Sequence, residues 1–378
     1  MPFEHYIRQG GRRLRCGYTT GTCAALAAKA AARTLLSGSP VSSETIRTPK
    51  GLHVTAEILE LRRGGDTVSC AVRKDGGDDI DVTDGILIFA SVSLIPDGLV
   101  IEGGEGVGRV TLPGLDQPVG APAINSVPRR MIGEALSGLC APYGYSGGFR
   151  VTVSVPSGAE LAGKTFNPQL GITGGISILG TSGIVEPQSL QALLDSLAVE
   201  MRVLAARGTR RLIITPGNYG RDFLRAYPAL AAMPQIKCAN FIGDTLDLAA
   251  ENGMEQVLLT GHIGKMVKLA GGIMNTHSRT ADCRTELFAA YAALCGAPQP
   301  LTARLMRAAT SDACIELLDG AGLRKPVLDR LTAAAQSHLD RRAAGAFRIG
   351  LITFSNRYGL LTVSHTAEQL LNDWGNSI

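Results

Sequence analysis

The sequence is poor in aromatic residues: Phe, Trp and Tyr make up 5% of 378 residues, with a single tryptophan. Proteins that hold nucleic acid by stacking need more ring faces than that. A formal charge of +4, from 37 basic and 33 acidic residues, adds no basic field to attract a phosphate backbone, so no nucleic-acid partner is expected. Long apolar runs are also missing. The longest, such as "GILIFASVSLI", fall far short of a bilayer span, which excludes a membrane-spanning helix. The amino terminus, "MPFEHYIRQGGRRLRCGYTT", has basic residues but no apolar stretch of signal-peptide length, and the expected location is cytoplasmic. The eight cysteines include no C-x-x-C pair. That argues against a zinc site and fits a compartment of reduced thiols, so neither a disulfide nor a protein-bound metal is expected. There is no G-x-S-x-G and no H-E-x-x-H, and "GGEGVG" at 103–108 lacks dinucleotide-fingerprint spacing, so nothing announces hydrolysis. The oligomeric state, including a homo-oligomer, is left open.

What the chain has in excess is glycine, 46 of 378 residues. From about 44 to 155 the glycines separate β-rich runs: "TIRTPKG", "LHVTAEILELRRGG", "TVSCAVRKDGGDD", "GILIFASVSLIPDG" and "FRVTVSVPSG", with the helical "NSVPRRMIGEALSGL" before the last. Further on, short apolar runs alternate with helical stretches. "GISIL", "RLIIT", "CANFI" and "QVLLT" are each followed by a helix, and "FRIGLITFS" supplies a late strand. The expected fold is an N-terminal α+β module over 1–160 followed by a Rossmann-like three-layer α/β/α domain over 161–378.

Four of these strands end in glycine-bearing turns: "GTSG" (Gly180, Thr181, Ser182, Gly183), "TPGNYG" (with Gly217 and Asn218), "IGD" (with Gly243 and Asp244) and "TGHIG". In an open α/β sheet the strands' carboxyl ends form one ligand-binding edge, and these turns are expected to meet there. Asp244 is suited to accept hydrogen bonds from a ribose. In "RCGYTTGTCAALAAKAAARTLLSG", Thr20 or Thr22 is expected to cap a helix ending near Ser37 and Gly38, with its positive end turned to an anion. "GAELAGKT", 158–165, satisfies the phosphate-loop pattern, but "FNPQLGITGG" follows where a helix is required. A turn with a solvated Lys164 is the expected reading. The densest polar cluster, "TGHIGKMVKLAGGIMNTHSRTAD", contains the candidate catalytic residues His262 and His277 together with Lys265, Lys268 and Arg279, the two lysines being equally explained by a solvated helix face.

Taken in order, "LRCGYTTGTCAALAAKAA", "GGEGVGRVTLPGL", "AINSVPRRMI", "FNPQLGITGGISILGTSGIVEP", "TPGNYG", "NFIGD" and "GHIGKMVKLAGGIMNTHSR" resemble the motifs of the cobalt-precorrin-5B C-methyltransferases of anaerobic cobalamin biosynthesis. The resemblance runs from about 14 to 285, with Gly163 its main departure. It implies methyl transfer from S-adenosylmethionine to carbon-1 of a cobalt-bearing, anionic macrocycle, the cobalt belonging to the substrate. The methyl donor carries its own activated electrophile, so alignment suffices and no catalytic triad is needed. The strand-end turns would then hold S-adenosylmethionine. Thr19, Thr20, Thr22, Lys265 and Arg279 would take the macrocycle's acid arms. Two other readings stay open: an ATP-dependent small-molecule kinase built on "GAELAGKT", and a non-catalytic tetrapyrrole carrier.

Overall fold

The computed structural model describes residues 3–9 and 11–375. The chain divides into two compact units, Met1–Leu190 and Gln191–Ile378. The expected boundary near residue 160 falls inside the first unit, because Ile172–Thr173 pairs with Arg109–Val110 and Ile184–Val185 pairs with Gly17–Tyr18. The tract from 161 to 190 is thus tied back to earlier strands.

In the first unit, helix α1 (Thr20–Ser37) lies with α2 (Ser126–Cys140) on a five-stranded sheet. The strands are β1 (Leu59–Gly64), β2 (Thr67–Arg73), β3 (Leu87–Ile95), β4 (Leu99–Gly103) and β5 (Gly148–Ser154), in the spatial order β1-β2-β3-β5-β4. All pairings are antiparallel except β5 with β4. Period-two alternation decides the layering. Val68, Cys70 and Val72, Ile88, Ala90 and Val92, and Val151 and Val153 all face the helices, giving the expected α+β arrangement. The alanines of α1 are fully buried, since only a side chain this small lets a helix sit between a sheet and a second helix.

The glycines of "GGEGVG" serve packing. A Cβ on Gly106 would overlap the Val155 carbonyl oxygen, and one on Gly158 would overlap the carbonyl oxygen of Gly106. The first glycine of the phosphate-loop lookalike is therefore required by a backbone crossing. The loop itself forms one helical turn, Gly158–Ala162, where a plain strand-end turn was expected, and no helix follows Lys164 and Thr165. Lys164 is exposed, 4.0 Å from Glu160.

The second unit is built on β6 (Arg211–Thr215), β7 (Gln235–Lys237), β8 (Gln256–His262), β9 (Arg348–Ser355) and β10 (Gly359–Val363), ordered β7-β6-β8-β9-β10. The first four are parallel, and β10 runs antiparallel to β9. Ile213, Leu258 and Ile352 meet Leu224 of α4 (Asn218–Leu224) and Ala367 and Leu371 of α8 (His365–Asp373) on one face. Leu212, Ile214, Val257, Leu259 and Leu351 meet α3 (Leu190–Ala206), α5 (Ile242–Glu251), α6 (Ser311–Gly320) and α7 (Arg324–Ala343) on the other. Strands covered on both faces read as unbroken apolar runs, as "RLIIT" and "QVLLT" do. The three layers agree with the expectation. The strand order, however, is 2-1-3-4-5 within the unit, which differs from the 3-2-1-4-5-6 order of dinucleotide-binding Rossmann sheets.

Two expected strands are different elements. "GISIL" forms only isolated bridges, Val107 to Ile176 and Ile124 to Ile178, because its neighbours are the glycine crossing and a loop. "CANFI" lies beyond its strand, which is Gln235–Lys237, and Ile242 already opens α5.

Candidate functional site

The chain leaves β6 for β7 on one side and then crosses to β8 on the other, so the strand order reverses between β6 and β8. Crossover connections leaving in opposite directions open a crevice at the carboxyl ends of those two strands, the usual ligand position in such sheets. One wall is Thr215, Pro216 and Gly217, and the other is His262. Gly217 has φ +109°, a conformation glycine adopts without cost. Beneath it, the hydroxyls of Thr215 and Thr260 are buried with no hydrogen-bond partner, the kind of orphaned polar atom that asks for an explanation.

Lys265 ties the crevice together. Its Nζ donates to the carbonyls of Pro216 and Ala239, both at 3.0 Å, so one side chain fixes the turns after β6 and β7. Burial pushes its pKa below the ordinary lysine value. The Lys237 ammonium donates to Asn218 Oδ1 at 3.2 Å. His262 lies near Tyr219 and edge-on to Phe354, with ring centroids 6.2 and 5.8 Å away, and its Nδ1 accepts the Gly264 N–H at 3.1 Å. That contact assigns the neutral ring's proton to Nε2. The His277 ring is held alike: its Nδ1 accepts the Arg279 N–H at 3.1 Å. Both neutral rings therefore carry their N–H donor on Nε2.

Burial lowers the His262 pKa, with the Asp312 carboxylate partly opposing it. The unfolded chain then takes up this proton more readily than the folded one. The resulting stability is fully present above about pH 6.5, the ordinary histidine value, and is lost as pH falls through the lower folded value. His262→Gln should accordingly weaken the acid-side fall in stability. Urea unfolding at about pH 7.5 and about pH 5.5 measures this, and an unaltered acid limb would refute the assignment.

The remaining expected residues divide between the units. Gly243 and Asp244 are in the first turn of α5. A Cβ on Gly243 would press on Met274 Cβ at 2.9 Å, and the Arg342 pKa is raised by its hydrogen bond to Asp247, with the Asp244 carboxylate adding a smaller contribution. The smallness of Gly243 thus accommodates a neighbouring loop. His277 and Arg279 are exposed on that loop, which Thr276 N–H attaches to Asn240 O at 3.0 Å. Lys268, for which a solvated helix face was an equal reading, is 3% exposed.

Gly180, Thr181, Ser182 and Gly183 do not end a strand of this sheet, contrary to expectation. They belong to the first unit and pack on the start of α1. The cap of α1 is Thr19 and not the expected Thr20 or Thr22, and Gly38 stops the helix as expected, in the left-handed conformation. Thr22 Oγ1 donates to Gly183 O at 2.6 Å, and Thr20 Oγ1 accepts from Leu179 N–H at 2.9 Å. Thr19, Thr20 and Thr22 are all buried. The Thr20 and Thr22 hydroxyls stitch the 177–183 segment to the helix end, and Thr19 Oγ1 accepts the Thr22 N–H, so all three are engaged within the first unit. A separate groove of about 820 Å³, lined by Leu301, Arg304, Leu317 and Leu323 among others, contains none of the expected residues.

Residues 7–187 match the family described as CbiD, and residues 275–365 match its C-terminal domain. The chain is 48% identical to the cobalt-precorrin-5B C(1)-methyltransferase of Ruminiclostridium cellulolyticum, covering 93% of this chain and 92% of the relative. It is 43% identical to the protein of that name from Alkaliphilus metalliredigens, covering 97% of each. A crystal structure of a cobalamin biosynthesis protein (cbiD) from Archaeoglobus fulgidus is similar at 29% identity, covering 73% of this chain and 86% of that one, with a TM-score of 0.39. Agreement with the family over residues 7–187 and 275–365, and with its relatives over 93% and 97% of the chain, leads to one conclusion: this chain belongs to the CbiD family.

Proposed function

We infer that this chain transfers a methyl group to carbon-1 of cobalt-precorrin-5B, giving cobalt-precorrin-6A in anaerobic cobalamin biosynthesis. The observation that carries this is 48% identity, over 93% of the chain, to a relative named for that reaction. The methyl donor is assigned as S-adenosylmethionine, which supplies a methyl group already activated on a positively charged sulfur.

The crevice residues suit such a donor. Gly217 leaves the backbone after β6 approachable, Asn218 adds an amide, and the buried Thr215 and Thr260 hydroxyls lie below. Asp244, one strand over, is retained as the acceptor for ribose hydroxyls. The work left to the protein is alignment and exclusion of water, which can supply a large part of a rate enhancement. Lys265 holds the two turns at fixed separation. The Nε2–H groups of His262 and His277, together with the Arg279 guanidinium, are donors suited to the macrocycle's carboxylates. In this tautomer neither histidine acts as a base, so both are assigned to orientation. Thr19, Thr20 and Thr22 are left out of the substrate contacts because their hydroxyls are occupied.

The test is transfer of label from methyl-labelled S-adenosylmethionine into the macrocycle. Lys164→Ala should transfer label at the wild-type rate, without nucleotide, and change stability by no more than about 0.5 kcal/mol, as expected of an exposed site. Abolished transfer in a folded Lys164→Ala protein would revive the phosphate-loop reading. A chain that binds the macrocycle but transfers no label would be a carrier.

A further inference from the structure

Lys268 sits on the short helical turn Val267–Gly271, which follows the His262 and Lys265 segment directly. Its ammonium is drawn inward. Nζ donates to Thr276 O at 3.1 Å and Ala281 O at 2.8 Å, and it is 3.8 Å from Asp282 Oδ1. Taking an ammonium out of water is costly unless it is paired and hydrogen-bonded, and burial does push this lysine's pKa down, with Asp282 opposing. Two carbonyls and a carboxylate compensate for that burial.

The two carbonyls bracket His277, Ser278, Arg279 and Thr280, all exposed. This tip is closed by its own bonds, Thr280 N–H to His277 O at 2.9 Å and His277 N–H to Asn275 Oδ1 at 3.1 Å. Its base joins the turn after β7 through Asn240 and a bridge between Phe241 and Asn275. The tip is therefore internally formed and attached at its front edge without the lysine. What the lysine adds is the distance between the tip's two ends and their depth over the segment carrying His262 and Lys265. A neutral side chain could fill the same space, but it could not hold two carbonyls and a carboxylate at one point.

We propose that Lys268 is a positioning residue for the methyl transfer, clamping the 276–282 loop so that Arg279 and His277 meet the carboxylate arms of the macrocycle. The proposal rests on the reading that this tip grips the macrocycle, and the experiment separates the two. Lys268→Met, in the full chain, should raise the KM for cobalt-precorrin-5B by about 10-fold or more, leaving kcat and S-adenosylhomocysteine affinity within about 2-fold. Arg279→Ala should raise the same KM. The double variant should be little worse than either single one, since the lysine acts through the arginine. Trypsin cleavage after Arg279 gives a readout independent of activity: it should be faster in Lys268→Met and suppressed by the macrocycle. If Arg279→Ala raises KM while Lys268→Met does not, or if their effects simply multiply, the clamp is structural only and the proposal fails. If Arg279→Ala and His277→Ala both leave KM unchanged, the tip does not hold the substrate, and the reading beneath the proposal fails with it. Should Lys268→Met not fold, Lys268→Gln makes the same test, since a neutral amide cannot replace the charged bonds to Thr276 O and Ala281 O, with an expected KM increase of roughly 3-fold and an unchanged KM overturning the proposal.

Discussion

Lys265→Met should lower kcat/KM by about 100-fold while leaving a folded protein, because the lysine connects two turns that carry different parts of the crevice. Its two donated bonds, to Pro216 O and Ala239 O, come from a charged group. Such bonds contribute about 1.5–3 kcal/mol each, and a misplacement near 1 Å at a reacting centre costs on the order of 10²-fold in rate. Loss of the lysine frees the turn after β6 from the turn after β7. Both substrates should then be aligned less well, so kcat falls together with kcat/KM. Steady-state kinetics with thermal unfolding on the same samples decides the matter. A Lys265→Met enzyme that is folded and within about 3-fold of wild type would remove this crevice from the reaction.

Gly217→Val should weaken S-adenosylhomocysteine by about 10-fold or more and spare macrocycle binding. Two effects act in the same direction. At φ +109° a β-branched residue is strained by about 1–3 kcal/mol, so the turn must shift. The new side chain would also project toward Lys265 Nζ, 4.0 Å from the position of its Cβ, in space a ligand over the switch point would use. Calorimetry with each ligand separately is the measurement. If Gly217→Val binds S-adenosylhomocysteine as the wild type does, the donor lies elsewhere. If it loses the macrocycle instead, the two ligands have been exchanged in the assignment.

Particular stretches explain why parts of this were legible in the sequence. "TVSCAVR" and "FRVTVSV" alternate because one face of their sheet is covered, while "RLIIT" and "QVLLT" are apolar throughout because both faces are. Each pattern reports local burial. "GISIL" carries the same apolar–polar alternation, yet Ile176, Ser177 and Ile178 are all buried and its partners are single bridges at Val107 and Ile124, not a strand. Alternation records which way side chains point and is silent on whether a partner backbone lies alongside. The helices between Arg284 and Ala343 have no strand among them to mark their place, and only the composition of "RTELFAAYAAL" and "SDACIELLDG" signals them. Lys268 could not be told from a surface lysine, since its acceptors are backbone carbonyls that leave no residue signature.

The sequence by itself determined the family, the strands flanked by clear turns, and the failure of "GAELAGKT" as a phosphate loop. All of these depend on residues close together along the chain. Only the tertiary structure decided which turns share an edge. "TPGNYG" and "GHIGK" flank one switch point because β6 and β8 are neighbours in the sheet. "GTSG" belongs to the start of α1, where the Thr22 hydroxyl holds it. Hydrophobic period sets the face a residue occupies and glycine sets the conformation a turn can reach. Neither encodes which strand the chain will lie beside after a crossover, and strand neighbourhood is what assembles this site.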